Sequence, residues 1–278
     1  MAATLLHGEP VAEKIRHEVA ARLATVTKKP RVAAVHNEKS GAVRVYMKQQ
    51  RAACEKVGIP YDLHAIGEAK ADDVYALVAK LAADPDITGI TVHQPLPKAV
   101  NEEKVLAMVP ASKDIEASHA ESFGRLGMGM SGPQPAAARA AIDILRAHKP
   151  SCRGLDAVVV GRSALVGKPA ALMLLAMGAD APTVTICHTA TAALAEYTAR
   201  ADILVVAAGR PNTITGSMVK KGAIVIDIGI NKLTDGPVVG DVNFAEAGEV
   251  ASAITPVPGG VGPVSIAVWL RNIVECVR

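Results

Sequence analysis

The stretch Val158-Val159-Val160-Gly161-Arg162-Ser163-Ala164-Leu165-Val166-Gly167-Lys168-Pro169 decides the fold. With Ala157 before them, the valines read as a strand covered on both faces. Gly161 then turns the chain, and Gly167-Lys168-Pro169 suits the first turn of a helix, where proline is tolerated. A buried strand running into a glycine turn and a helix leaves backbone N–H groups and a positive helix end facing an anion, as for a dinucleotide pyrophosphate. The spacing is not the three-glycine fingerprint, and a tight turn without a ligand has the same pattern.

Outward from this turn, three further β-branched runs follow: Thr183-Val184-Thr185-Ile186, Ile203-Leu204-Val205-Val206 and Ala223-Ile224-Val225-Ile226. The first ends at Cys187-His188-Thr189, where an NAD-specific site would place an acidic ribose ligand. No carboxylate stands there, and Arg162 suits a phosphate on the adenosine ribose, which points to NADP. The cluster Thr255-Pro256-Val257-Pro258-Gly259-Gly260-Val261-Gly262-Pro263 is too rich in proline and glycine for helix or central strand. It reads either as a rigid connection or as the wall of a ligand cleft.

Toward the N-terminus the same alternation holds. Val11, Ile15, Val19 and Leu23 mark a helix entered through Pro10, Arg31 to Val35 is of strand length, and Val45 to Val57 is helical up to Gly58. Asp72 to Leu81 reads as a helix and Ile87 to Val92 as a buried strand ending before Pro95. The Gly127–Pro135 stretch is the linker, Ala136 to His148 a helix, and Val264 to Val277 a last helix. The class is α/β with mainly parallel sheets in two domains: a substrate domain over 1–135 with 264–278 packing back on it, and a Rossmann-like domain over 136–263.

Composition narrows the function. Half of the 278 residues are hydrophobic, 21% are charged and 3% aromatic, and the formal net charge is +3. That supports a packed core of small aliphatic residues, whereas the absence of a basic stripe and the scarcity of rings disfavour nucleic acid. No apolar run reaches the ~20 residues of a membrane span. Cys54, Cys152, Cys187 and Cys276 are scattered, without metal or dithiol spacing, and no metal site is expected. Free thiols fit a cytoplasmic protein. His7, His17, His36, His64 and His148 read as surface or capping residues, and Glu102-Glu103-Lys104 as a solvated face.

Several segments together resemble the methylene-tetrahydrofolate dehydrogenase/cyclohydrolase family over nearly the whole chain. They are Tyr46 followed by Ala53 to Ile59, Pro95-Leu96-Pro97, Lys113-Asp114-Ile115, Gly124-Arg125-Leu126, the Gly161-Arg162-Ser163 turn, Gly222 to Asn231, Gly240-Asp241-Val242 and Ile254 to Pro263. The resemblance implies two α/β domains flanking a cleft, a folate in the first, NADP in the second, and a homodimer. It implies cofactor contacts from Gly161, Arg162, Ser163, Val166, His188, Thr189, Ala208, Gly209, Ile230 and Thr255. Substrate contacts are implied for Tyr46, which would stack on the pterin or its aminobenzoate, and for Gln94, Pro95, Leu96, Glu116, Pro256, Gly259 and Gly260.

Four departures from the family pattern fall in the substrate domain. The lysine that bifunctional members carry four residues after the tyrosine is Gln50; the family's Val-Gln-Leu-Pro reads Val92-His93-Gln94-Pro95; its Asp-Val-Asp-Gly reads Asp114-Ile115-Glu116-Ala117; and its Pro-Cys-Thr-Pro is eroded near Pro135 to Ala138. Tyr46, Gln50, His93 and Glu116 are therefore the candidate catalytic set. Gln50 sits about 40° from Tyr46 around a helix and Lys48 about 200°, so Lys48 does not replace the missing amine. An amide has no proton to exchange near neutral pH. The expectation is a dehydrogenase using NADP, with cyclohydrolase activity weak or absent. The alternatives are a bifunctional enzyme using His93 or Glu116 as proton carrier, and a noncatalytic nucleotide-binding relic.

Overall fold

The computed structural model describes residues 2–37, 41–233 and 236–277, without the side chains of residues 41–43. In chain order its strands are β1 (Thr4–Leu5), β2 (Val32–His36), β3 (Tyr61–Ala65), β4 (Gly89–Val92), β5 (Asp156–Val160), β6 (Thr183–Cys187), β7 (Ile203–Val206), β8 (Ile224–Asp227), β9 (Asn231–Lys232), β10 (Val238–Val239) and β11 (Ala253–Ile254). Its α-helices are α1 (Glu9–Thr25), α2 (Gly41–Lys56), α3 (Ala71–Ala83), α4 (Glu102–Met108), α5 (Ala120–Gly127), α6 (Ala136–His148), α7 (Gly167–Leu175), α8 (Leu194–Thr198), α9 (Phe244–Val250) and α10 (Val261–Glu275).

The chain forms two compact units, Met1–Lys14 with Pro135–Val268, and Ile15–Gln134 with Trp269–Arg278. One division falls at Gln134–Pro135, inside the expected linker. The sequence reading assigned the first residues to the substrate domain. Met1–Lys14 instead groups with the larger unit because β1 pairs in parallel with β11 through Thr4↔Ala253 and Leu5↔Ile254.

The larger unit holds a six-stranded parallel sheet in the order β1-β11-β8-β7-β5-β6. Strands β5, β7 and β8 are almost wholly buried because both faces are covered, which is why their runs are continuous in Val and Ile rather than alternating. Val158, Val160, Leu204, Val206 and Val225 share one core cluster, each fully buried side chain contributing about 1.5–3 kcal/mol. Chain order reverses at β5: β6 lies on one side and β7 on the other, which opens a crevice beyond the carboxyl ends of β5 and β7.

The smaller unit holds a parallel sheet in the order β3-β2-β4. Its helix α3 buries Val74, Val78 and Leu81 on one face and carries Asp72 and Asp73 in the first turn and Lys80 in the last, matching the helix dipole. Asn101 caps α4 by accepting from the Lys104 N–H. Gly58 stops α2 at φ +71°, as expected of a C-terminal glycine. Strand β3 and helices α4 and α5 were not read from the sequence. The Thr255–Pro263 cluster is also not wholly loop, since α10 begins at Val261 and takes Gly262 and Pro263 into its first turn. First-turn residues need no intrahelical N–H bond, so proline is tolerated there.

Candidate active site

Helix α2, the loop after β4 and the segment after Lys113 bring four of the sequence-derived residues together in the smaller unit. Tyr46 and Gln50 lie one helical turn apart on α2; Tyr46 is half-buried, Gln50 is fully buried and Lys48 is exposed. The Tyr46 ring meets His93 edge to face at 6.2 Å between centroids. Gln50 Nε2 donates to Glu116 Oε1 at 3.3 Å. The same oxygen accepts from Thr91 Oγ1 at 2.6 Å and from the indole N–H of Trp269 at 2.8 Å. On its other side, Gln50 Oε1 accepts from Tyr61 Oη at 3.1 Å, and Tyr61 Oη lies 3.3 Å from His93 Nε2.

Three of these residues were not foreseen: Thr91, Tyr61 and Trp269. The sole tryptophan of an aromatic-poor chain carried one signal, because a buried indole N–H requires an acceptor. Tyr61 opens β3, and its hydroxyl reaches His93 in the loop after β4.

Burial sets the protonation states. It pushes the Glu116 carboxyl above its usual range, helped by nearby Asp114 and opposed by the three donors. Burial lowers His93 to about 4, with nearby His36 acting in the same direction. The Tyr61 hydroxyl is raised, chiefly by burial, and stays protonated. His36, expected at the surface, is buried at the end of β2.

Other expected substrate contacts are used differently. Leu96 points into the core of the smaller unit with Ile90 and Val105, since it is the apolar residue following the Gln94–Pro95 turn. Gln94 is exposed and donates to Glu102 Oε2 at 3.0 Å, while Glu102 Oε1 accepts from the Leu96 N–H at 2.8 Å. Glu102 thus clamps this loop instead of belonging to a merely solvated face. His119 caps α5 by accepting from the Glu121 N–H. Exposed Pro95 remains a surface residue of the same loop.

In the larger unit the Gly161 turn sits at the switch point. Gly161 adopts φ +129°, and a Cβ there would lie 2.2 Å from the Ala207 carbonyl oxygen. At Gly167 a Cβ would meet the Gly161 carbonyl oxygen at 2.1 Å. Both positions need glycine so that β5, β7 and α7 approach closely. The helix end is not as free as expected: Gly167 N–H donates to Ser163 Oγ at 3.4 Å and Lys168 N–H to the Ser163 carbonyl at 3.1 Å. The N–H groups of Arg162, Ser163, Ala164, Leu165 and Val166 take no partner among the described residues, as an anion-binding turn requires.

In the same unit, two buried aspartates organise the loops after β7 and β8. Asp227 accepts from the N–H groups of Gly229, Asp241 and Val242, and burial raises it to about 6 against those bonds. Asp241 accepts from the N–H groups of Ala208 and Gly209 at 2.6 and 2.8 Å, and from Asn231. The Ala208 and Gly209 amides are therefore unavailable to a cofactor. Thr255 is fully buried, its hydroxyl accepting from the Asp227 N–H and donating to the Asp227 carbonyl, so it supports the loop rather than touching a ligand. Arg162, Ser163 and Thr189 are exposed, Ile230 is 70% exposed, and His188 accepts from the Ala190 N–H through Nδ1. Gly260 N–H closes onto Pro256, and the Gly259 carbonyl accepts from Gly8.

A parallel sheet with unpartnered backbone N–H groups in the turn at its switch point, in a chain whose second α/β unit bears a buried polar cluster, matches the class of two-domain dinucleotide-linked α/β enzymes. Residues 6–116 match the tetrahydrofolate dehydrogenase/cyclohydrolase catalytic domain, and residues 135–278 match the NAD(P)-binding domain of the same family. The chain is 44% identical to the bifunctional protein FolD of Aromatoleum aromaticum over 99% of its own length and 97% of that protein. It is similar to the crystal structure of the Campylobacter jejuni bifunctional FolD, with a TM-score of 0.93, 37% identity and 99% of each chain covered. The Trypanosoma brucei FolD complexed with NADP cofactor and inhibitor is similar at a TM-score of 0.91 and 28% identity, covering 99% of this chain and 97% of that one. The protein belongs to the tetrahydrofolate dehydrogenase/cyclohydrolase family.

Proposed function

We propose that the protein oxidises methylene-tetrahydrofolate, or a close pterin one-carbon carrier, to the methenyl form with NADP⁺, and that its cyclohydrolase activity is weak or absent. One observation carries this reading: Gln50 is sealed between Tyr61 and Glu116 at the position where the family's bifunctional members carry a lysine. Every donor to Glu116 is neutral, and among the described residues no lysine or arginine bonds to Gln50, Tyr61, His93 or Glu116. Arg51, whose charge reaches Tyr61, is exposed and paired with Glu55 at 2.9 Å.

Hydride departure from the methylene carbon is driven by the adjacent nitrogen lone pairs and needs the reactants held face to face, not a protein base. Hydrolysis of the methenyl cation requires water to lose a proton and a ring nitrogen to gain one. The Gln50 amide exchanges neither. Tyr46 offers its ring face to the pterin or aminobenzoate, and Glu116 Oε2, which has no partner among the described residues, accepts from the amino-pyrimidine edge. NADP fits the 162–166 cradle, whose closeness to the sheet depends on Gly161 and Gly167; bound there, it supplies the hydride acceptor. Arg162 and the absence of a carboxylate at His188-Thr189 favour NADP over NAD. A cytoplasmic homodimer belongs to the same reading, supported by four free cysteines and by the family resemblance; among the described residues no helix is long and apolar enough to cross a membrane.

A spectrophotometric assay tests it. With NADP⁺ and methylene-tetrahydrofolate, the methenyl product should accumulate, with no enzyme-stimulated conversion to the formyl product. Rapid enzyme-driven hydrolysis would reject the single-activity reading. The raised proton affinity of Glu116 favours one second reading, a bifunctional enzyme in which that carboxylate carries the proton. In that case Glu116→Gln would abolish hydrolysis and spare hydride transfer.

A further inference from the structure

The direction of every hydrogen bond between Glu116 and His93 is dictated from the carboxylate end. Glu116 Oε1 accepts from Trp269 Nε1, which can only donate, and from Thr91 Oγ1. The Gln50 group facing that oxygen must be its NH₂, because a carbonyl there would repel it. Gln50 Oε1 is thereby turned to Tyr61, whose hydroxyl has one hydrogen and gives it to the amide. Burial keeps that hydroxyl protonated. What remains on Tyr61 Oη for His93 is a lone pair, so Nε2 must carry the proton. His93 Nδ1 is then bare: it takes no hydrogen bond among the described residues and, in a residue otherwise buried, is not wholly shut off from its surroundings.

We propose that Tyr61 is a positioning residue that holds His93 as the Nε2–H tautomer, so that the imidazole offers its Nδ1 to the substrate as an acceptor only. The substrate part of this inference rests on the dehydrogenase reading above. With Glu116 ionised, its Oε2 and His93 Nδ1 make the site a pair of open acceptors. Such a pair selects a heterocycle edge rich in N–H and amino donors, as a reduced pterin has, over one presenting carbonyl oxygens. The resemblance puts a glutamine at position 93, and an amide can serve as donor or acceptor by turning over. The imidazole held by Tyr61 cannot turn over without losing its bond to the hydroxyl.

Long-range ¹H–¹⁵N spectra of protein labelled at histidine nitrogens read the tautomer directly, with His93→Gln assigning the resonance. At pH 7 and without substrate, the wild-type protein should show His93 with Nε2 protonated and Nδ1 bare. Tyr61→Phe, which keeps the ring against Trp269 at 6.1 Å between centroids, should bring in the Nδ1–H form. A wild-type His93 that is Nδ1–H or doubly protonated overturns the proposal, as does a spectrum unchanged in Tyr61→Phe. Because the wild-type spectrum is decisive alone, the test survives a variant that does not fold. In steady-state assays, Tyr61→Phe should raise KM for the pterin substrate about 10-fold, as expected for one misdirected hydrogen bond, with KM for NADP⁺ unchanged. An unchanged pterin KM overturns the substrate-facing part. A wild-type enzyme with no dehydrogenase activity would instead refute the proposed function while leaving the tautomer result standing.

Discussion

Gln50 Nε2 lies 3.3 Å from Glu116 Oε1, and among the described residues the carboxylate has neither a lysine nor an arginine among its donors. A buried carboxylate facing only neutral donors holds its proton more tightly than usual, as Glu116 does. Its negative charge becomes favourable when a cation arrives with the ligand, and the methenyl product is such a cation. On the proposed function, the arrangement would suit binding of the dehydrogenation product better than its hydrolysis.

Gln50→Lys should return an ammonium to that position. It would sit beside Tyr61 and Glu116, both of which accept from it, and it would bring the carboxyl back toward its usual range. Enzyme-stimulated hydrolysis of the methenyl substrate should rise by about 10²-fold, the lower end of what a placed acid–base group contributes, while hydride transfer changes far less. Paired assays at the methenyl absorbance check both rates on one preparation. A hydrolysis rate that stays at the uncatalysed value would show that the rest of the pocket lacks the competence as well.

Glu116→Asp restores the family's shorter side chain and should be harmful here. Withdrawing the carboxylate by one methylene takes its oxygen away from Thr91, Gln50 and Trp269 together. The buried indole N–H is then left without an acceptor, at a cost of about 1–3 kcal/mol. Thermal or urea unfolding should register that loss, and the rate of hydride transfer should fall along with it. Were the variant as stable and as active as the parent, the three-donor arrangement would carry no weight.

How much of this was legible in the sequence depends on how local each signal is. Gly161 and Gly167 could be read because close packing of strand, turn and helix demands glycine at fixed chain separations. The pair Tyr46 and Gln50 came from the family resemblance, and helical spacing put them on one face of α2. Tyr61 could not be found in the same way: β3 has a half-exposed pattern with no continuous apolar run, and its partners, Gln50 and His93, lie 11 and 32 residues away. Trp269 bonds to Glu116 across 153 residues, a pairing that only the fold creates. Thr255 and Leu96 went the other way. Each sits beside expected ligand-binding residues, yet one is tied to the Asp227 backbone and the other fills a core. Chain proximity to a site does not reveal which way a side chain points.

The protonation of His93 predicts an acid limit to stability. Its folded pKa of about 4 lies below the 6.5 of a free imidazole, so the unfolded chain binds the proton more readily. Stability from this residue is intact above about pH 6.5 and falls as the pH drops toward 4, by about 3 kcal/mol at most. Asp227, raised from 3.8 to about 6, acts with the opposite sign: the folded state keeps a proton the unfolded chain has released, so its contribution declines as the pH rises from 3.8 to 6. Denaturant titrations across pH 4 to 7 should therefore show a shallower acid slope in His93→Gln than in the wild type, and a steeper one when Asp227 is replaced. An identical slope in His93→Gln would mean the imidazole is not buried in its neutral form.

Arg162 supplies the last prediction. It is exposed on the turn after β5, and among the described residues it makes no ion pair or side-chain hydrogen bond. The ribose side of the proposed site carries His188 and Thr189 in place of a carboxylate. A guanidinium pairing with a dianionic phosphate contributes about 1.5–3 kcal/mol, so Arg162→Ala should weaken NADP⁺ binding about 10- to 100-fold. NAD⁺ lacks that phosphate and should be affected little, so the ratio of the two dissociation constants, measured by fluorescence titration, is the decisive number. Because Arg162 holds no other part of the protein, its loss leaves the unfolding temperature in place. A variant that loses both nucleotides equally would assign the guanidinium to the pyrophosphate cradle instead of the ribose phosphate.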